Sequence, residues 1–281
     1  MASTLIINSS HQISQGRYRY VFPSSVQFSE GDTVSMQSLS MYNSMQNVES
    51  IAGNNRVTLL WHANTTTTLN MVIADGFYTI DQLSQEIQKQ CILNDLYCID
   101  STGSYVFFTR LTTNSVRYAA QLTVAPLPTA AQATTLGWTK PPGAAWSFPA
   151  TAKTPQLTIP SVEFGKLIGF LPGTYPATVQ TTLQDFLSTQ VPQISTVSSI
   201  LIGTNLVNTP FANPNTLFAS VAINADFGGL IVHESMSPIP TAIAPGIYQS
   251  IDINFYTQAF ESLRMLDPEI VLTLSIVRRQ K

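Results

Sequence analysis

Charge is what this sequence has least of. Asp, Glu, Lys and Arg make up only 10% of its 281 residues, against roughly 25% in a typical soluble domain. Ser, Thr, Asn and Gln must therefore keep its outside polar. Charges cost free energy to desolvate at an interface, so a surface this poor in them suits a protein that ends up covered by neighbours. A secreted β-protein with a neutral surface is the plain alternative. A net charge of −3 argues against a broad nucleic-acid-binding face. The basic tail Arg278-Arg279-Gln280-Lys281 is expected to be a solvated terminus rather than a contact with an anionic partner. Cysteine is scarce too: Cys91 and Cys98 are too few for a disulfide framework and are expected to stay reduced in a core. No stretch approaches the ~20 apolar residues of a membrane-spanning helix. Met1-Ala-Ser-Thr4 has no basic region and the apolar run after it is only Leu5 to Ile7. A signal peptide is thus not expected, and synthesis in a cytoplasm is.

Catalytic patterns are missing as well. His11, His62 and His233 lie far apart, and His233-Glu234 lacks the second histidine one helical turn on that a zinc motif requires. Asp226 with His233 would make at most half a metal site. No Gly-x-Ser-x-Gly elbow and no phosphate-cradling glycine loop is present. Of the sixteen acids, Glu30, Asp32, Asp75, Asp95 and Asp100 sit in turn-like contexts. Phe and Tyr are scattered over strand positions rather than clustered as a sugar platform. The expectation is no catalytic residue, no cofactor and no metal. The fold would have to join distant groups, such as Asp226 or Glu234 with His62, to overturn it.

What the chain does have is period two. Ile270, Leu272, Leu274 and Ile276 alternate with Thr273 and Ser275, and Ile251, Ile253 and Phe255 alternate with Ser250, Asp252 and Asn254. Such strands bury one face and wet the other, as in antiparallel sheets. Tyr18–Phe22 and Thr33–Tyr42 are earlier strands. The apolar phase of the second slips between Met36 and Leu39, which predicts a β-bulge at Gln37-Ser38. Arg56–His62 and Thr68–Ile73 form a hairpin with Val57, Leu59 and Trp61 facing Leu69, Met71 and Ile73. Further strands are predicted at 199–206, 217–223, 229–234, 250–256 and 269–277.

One helix stands out. Thr79 and Gln82 make a capping box, Asp81 complements the helix dipole, and Ile80, Leu83, Ile87 and Cys91 form one apolar stripe ending near Asn94. A hairpin follows at once, with strands 96–99 and 105–111 around the turn Asp100-Ser-Thr-Gly103. From Ala125 to Pro155 the chain becomes rich in Pro, Ala and Gly without a steady period, so a loop with one short helix is expected. Its Trp138 and Trp146 must pack on the domain or on a neighbour. A second small helix is expected in 161–170, ending at Gly169.

The segment Gly76-x-Tyr78-Thr79-Ile80-x-x-Leu83 between paired strands, Leu167-Ile-Gly-Phe170 followed by Pro-Gly, Phe227-Gly228-Gly229, and Ile251-Asp-Ile253 with Asp267-Pro-Glu-Ile and the closing Leu-Thr-Leu strand form an ordered set. Over Tyr18 to Val277 it resembles the single jelly-roll penton or minor capsid proteins of virophages, polinton-like viruses and related double-stranded DNA viruses. The resemblance implies an all-β antiparallel sandwich of jelly-roll type with one amphipathic helix and a Pro/Ala-rich insertion. Residues 1–124, including helix 79–94, would start the jelly roll; 125–197 would be the insertion or extended loop region; 198–281 would complete the roll. It implies a virion subunit made in the host cytoplasm, forming a homopentamer at the five-fold vertices and meeting a double jelly-roll major capsid protein. A trimeric receptor-binding fibre head, a cement protein of the same virion and a carbohydrate-active enzyme with two acids in a cleft are the competing readings.

Overall fold

The computed structural model describes residues 2–279. The chain divides into two compact units, 1–46 with 197–281, and 47–196. Strands are numbered along the whole chain.

The first unit holds β1 (Ala2–Asn8), β2 (Gln12–Ser14), β3 (Arg17–Phe28), β4 (Thr33–Tyr42), β14 (Ser199–Thr204), β15 (Leu217–Ala222), β16 (Leu230–Glu234), β17 (Thr241–Ala242), β18 (Gly246–Thr257) and β19 (Ile270–Val277). One sheet runs β1-β19-β4-β16, with β17 also on β4; the other runs β15-β14-β18-β3-β2. All pairings are antiparallel. With β2 and β17 set aside, the strands in chain order fall as first-eighth-third-sixth in one sheet and second-seventh-fourth-fifth in the other. That is the strand order of a jelly roll, two Greek keys wrapped face to face. Ile7, Leu39, Leu272 and Leu274 from one sheet and Ile202, Ile251, Ile253 and Phe255 from the other share a core. The predicted bulge is there: the β4–β19 register shifts where Gln37 is passed over between Ser38↔Thr273 and Met36↔Leu274. β3 runs on past Pro23 because its register against β18 also shifts, between Tyr248 and Ser250, and proline is tolerated where the ladder is interrupted.

The second unit is inserted between β4 and β14. It contains β5 (Arg56–His62), β6 (Thr66–Val72), β7 (Cys98–Ile99), β8 (Tyr105–Val106), β9 (Thr109–Asn114), β10 (Ala119–Val124), β11 (Gln156–Ile159), β12 (Gly173–Tyr175) and β13 (Gln184–Leu187), with α1 (Ile80–Leu93), α2 (Ala130–Leu136) and α3 (Val162–Ile168). Its sheets run β12-β11-β5-β6 and β13-β10-β9, with β7-β8 a separate hairpin. The β5–β6 register places Val57 opposite Met71 and Leu59 opposite Leu69, as the alternation requires. The Thr79–Gln82 capping box forms, and Ile80, Leu83, Ser84, Ile87 and Cys91 are the buried face of α1. Leu83 and Ile87 join Leu111 and Leu122 in the core. α3 is capped by Ser161 and ends at Gly169 in the left-handed region. A β-carbon on Gly169 would collide with Gln190 O, so only glycine fits.

The units depart from the expected segments 1–124, 125–197 and 198–281. The insertion begins at Asn47, not at 125, because helix 79–94 and the hairpin 56–73 belong to the same core as 125–196. Trp146 is buried within it, 5.5 Å from Trp61 centroid to centroid, and Trp138 packs on Phe108. The expected strand 105–111 is broken in two, since Tyr105–Val106 pairs with β7 and Thr109–Asn114 with β10.

Candidate functional site

Two of the three histidines close a local structure. His11 Nδ1 lies 2.9 Å from Asn8 Oδ1 and accepts from Asn8 N at 3.2 Å, inside a one-turn helix. His62 bridges two strands, with Nδ1 3.0 Å from Thr66 Oγ1 and Nε2 2.7 Å from Gln156 Oε1. Gln156 Nε2 donates to Pro176 O, so its Oε1 accepts from His62 Nε2. Half-buried His233 stands opposite Leu39 at the edge of its sheet. Asp226 closes a turn, its carbonyl accepting from Gly229 N. His62 belongs to the inserted unit, and Asp226, His233 and Glu234 to the jelly roll. Among the described residues no three His, Cys, Asp or Glu side chains gather to hold a metal ion.

Several acids are engaged in turns. Asp75 accepts from Ser50 N and Oγ at 2.7 and 2.9 Å. Asp100 accepts from the Thr102 hydroxyl and from Thr102 and Ser104 N, which hold its carboxyl below the usual range. Asp32 accepts from Ser29 N at 2.9 Å and Arg279 N at 2.8 Å, and these two N–H groups lower its pKa. The last contact tethers an exposed tail residue to the domain. Arg279 is tied to the β3–β4 turn, and Arg278 donates to Gln27 O while its guanidinium sits 5.5 Å from the Phe28 ring centroid. Gln280 and Lys281 lie outside the described residues. Cys91 and Cys98 are unpaired and buried, and desolvation pushes both thiols up to about 12. A thiol so raised has almost no thiolate at neutral pH and is a poor nucleophile.

What the jelly roll presents instead is surface. Across β1, β19, β4 and β16 the register aligns Asn8, Val271, Ser40 and Val232 in one row and Ile6, Thr273, Ser38 and Glu234 in the next. Ile6, Val271, Val232, Leu230 and Tyr42 are exposed on these strands, each by 44% or more of its full accessible area. Glu234 is the one formally charged side chain in the four strands. Two loops of the same unit add Phe211, Met236 and Ile239, exposed by 97%, 102% and 82%. By contrast the second sheet carries the Arg19–Asp252 pair, bonded at 2.7 and 2.9 Å.

The sequence pattern missed one cluster. Tyr97, Tyr105 and Phe107 flank the Asp100–Gly103 turn, with ring centroids 4.7 to 6.5 Å apart. The β7–β8 register, Ile99 opposite Tyr105 and Cys98 opposite Val106, brings them to one side. Their odd-numbered spacing across a tight turn was the available signal.

Over 99% of its length the chain is similar to 98% of the mavirus penton protein, at 9% identity and a TM-score of 0.43. It is similar over the same share to 98% of a chain in the structure of the Sputnik virophage, at 11% identity and a TM-score of 0.41. No family model and no curated protein matches the sequence. The jelly-roll assignment stands on the strand order itself. Among the described residues no helix is long and apolar enough to cross a membrane.

Proposed function

We propose that this chain is a structural capsid subunit that closes into a homopentamer at the vertices of an icosahedral virion, beside a double jelly-roll major capsid protein. The observation that carries the reading is the outer face of the β1-β19-β4-β16 sheet. Exposed Ile6, Val271, Val232, Leu230 and Tyr42 stand among Ser and Thr with Glu234 as the one charge. Such a face loses little by desolvation when a neighbour covers it and gains from apolar burial. Five-fold closure needs a heterologous contact, one face meeting a different surface of the next copy. The exposed loop residues Phe211, Met236 and Ile239 supply a second apolar surface on the same unit. The motif set resembling virophage pentons supports the same reading, and the histidines and acids described above are engaged in turns and strand contacts rather than in a shared site.

Sedimentation or native mass measurement over a range of protein and salt concentrations tests it. A pentamer, alone or on adding the major capsid protein, is the expected species. A stable trimer would replace this reading with a fibre head, and a monomer that binds the major capsid protein without closing would make the chain a cement protein.

A further inference from the structure

A groove of ≈470 Å³ lies on the inserted unit between α1 and the segment that leads from β8 into β9. Asp81, Gln85 and Gln88 line it from the helix, and Tyr105, Phe107 and Arg110 from the strands. Its volume is in the range of small-ligand sites, which combine apolar rings with a few convergent polar groups.

Two features mark this groove. The first is the aromatic cluster: Tyr105 and Phe107 pack against buried Tyr97, with ring centroids 4.7 to 6.5 Å apart. The second is the state of the polar side chains. Elsewhere on α1 the glutamines are engaged, Gln82 in the capping box and Gln90 with Glu86. Gln85, Gln88 and Arg110 make no side-chain hydrogen bond or ion pair among the described residues. Two amides and a guanidinium thus present unspent donors and acceptors beside an aromatic surface. Asp81 has one long bond, from Thr113 Oγ1 at 3.4 Å.

From this arrangement we propose that the groove binds a neutral oligosaccharide. A pyranose ring offers an apolar C–H face that fits a tyrosine or phenylalanine ring, and a rim of hydroxyls that both donate and accept. Glutamine amides, which do both, match that rim, and an aspartate and an arginine add one strong acceptor and one strong donor. The two charges balance, which favours an uncharged glycan over a sialylated or sulfated one. The site goes beyond the capsid reading and does not depend on it, since it lies within 47–196 and asks nothing of the oligomer.

Saturation-transfer NMR on the intact chain, with tetrasaccharides of glucose, mannose, galactose and N-acetylglucosamine, tests the proposal. Sialyllactose and a sulfated disaccharide serve as charged probes. At least one neutral probe should receive saturation, and Tyr105→Ala and Gln85→Ala should each weaken its binding by about tenfold, ~1.4 kcal/mol. Both residues are exposed, so the variants should keep the wild-type melting curve; Gln88→Ala is a further variant to report should either unfold. No transfer to any neutral probe at about millimolar concentration, stronger binding of a charged probe, or full affinity in folded Tyr105→Ala and Gln88→Ala would each overturn it. The pentamer test is read separately by mass, so either idea can fail alone.

Discussion

In the jelly roll the core is largely aliphatic, with Ile7, Leu39, Ile202, Ile253, Leu272 and Leu274 fully buried, whereas the inserted unit centres on Trp61, edge-on to Phe108 and Trp146 at 5.6 and 5.5 Å. All three tryptophans, both cysteines and all three α-helices of the described residues fall in the inserted unit. Its neighbours in space are often neighbours in sequence, as in β5–β6, β9–β10 and α1 against β9. The jelly roll instead joins β1 to β19 and β3 to β18 across most of the chain. One unit is built from non-local strands, with a single formal charge in the four strands of one sheet. The other is built from local units and aromatic stacks with a polar groove. Assembly and recognition thus fall to different cores in the proposals above.

The sharpest way to break that comparison is to damage one core and watch the other. Tryptophan fluorescence reports only the inserted unit, while far-ultraviolet circular dichroism reports both. Leu272→Ala should cost the jelly roll about 2–5 kcal/mol and leave the fluorescence midpoint in denaturant unchanged. Leu122→Ala, of the same expected size, should move the fluorescence midpoint. If Leu272→Ala moved both probes together, the units would be one cooperative body. Leu83→Asp, which puts a carboxylate into the buried stripe of α1, should exceed either alanine variant.

Asn47 marks where the insertion begins, and its side chain holds the ends of the unit together. Its amide donates to Ile194 O at 3.0 Å and Tyr78 O at 2.8 Å, and its carbonyl accepts from Tyr78 N at 2.9 Å. The residue is 2% exposed. Asn47→Ala should lower the stability of the inserted unit by about 2–4 kcal/mol, because it strands buried partners. A fluorescence midpoint within error of wild type would show that the clasp contributes nothing.

Much of this was legible in sequence wherever burial alternates locally. The period-two strands, the bulge at Gln37, the Thr79–Gln82 cap and the Gly169 stop each rest on the chemistry of adjacent residues. β1 was not legible, because Leu5-Ile6-Ile7 shows no alternation although only Ile7 is fully buried. Pro/Ala composition alone puts the start of the insertion at 125. Its true start at Asn47 has strands as regular as those of the jelly roll, and only long-range pairing separates them. The groove was hidden for a similar reason: Tyr97, Tyr105 and Phe107 meet through a turn, and α1 supplies the opposite wall.

A smaller effect concerns the end of the chain. Asp32 holds Arg279 N and Ser29 N, and its carboxyl is depressed by those bonds. A depressed carboxyl stabilises the folded form above the ordinary carboxylate range, and that contribution disappears as pH falls through its folded value. Exchange of the Arg279 amide should therefore quicken on acidification after correction for intrinsic rates. Asp32→Asn should flatten that response. An Arg279 amide equally protected at every acid pH in the wild type would remove the carboxylate from the account.

The smallest expected change in stability goes with the largest expected change in assembly. Val232 and Val271 are 44% and 47% exposed on the outer sheet face, so Val232→Lys and Val271→Lys remove little buried area within the subunit. Each should stay within about 0.5 kcal/mol of wild type. Covered by a neighbour, the same lysine would have to lose its hydration shell with Glu234 as the one formal charge within the four strands, a cost that falls entirely on the assembled state. The pentamer should therefore disappear from sedimentation profiles while both unfolding probes stay where they were. A lysine variant that still closes would take this face out of the contact and leave the loop residues Phe211, Met236 and Ile239 to carry it. A variant that loses both assembly and stability would mean the valines support the jelly roll itself, and the contrast between a core that folds and a face that assembles would fail.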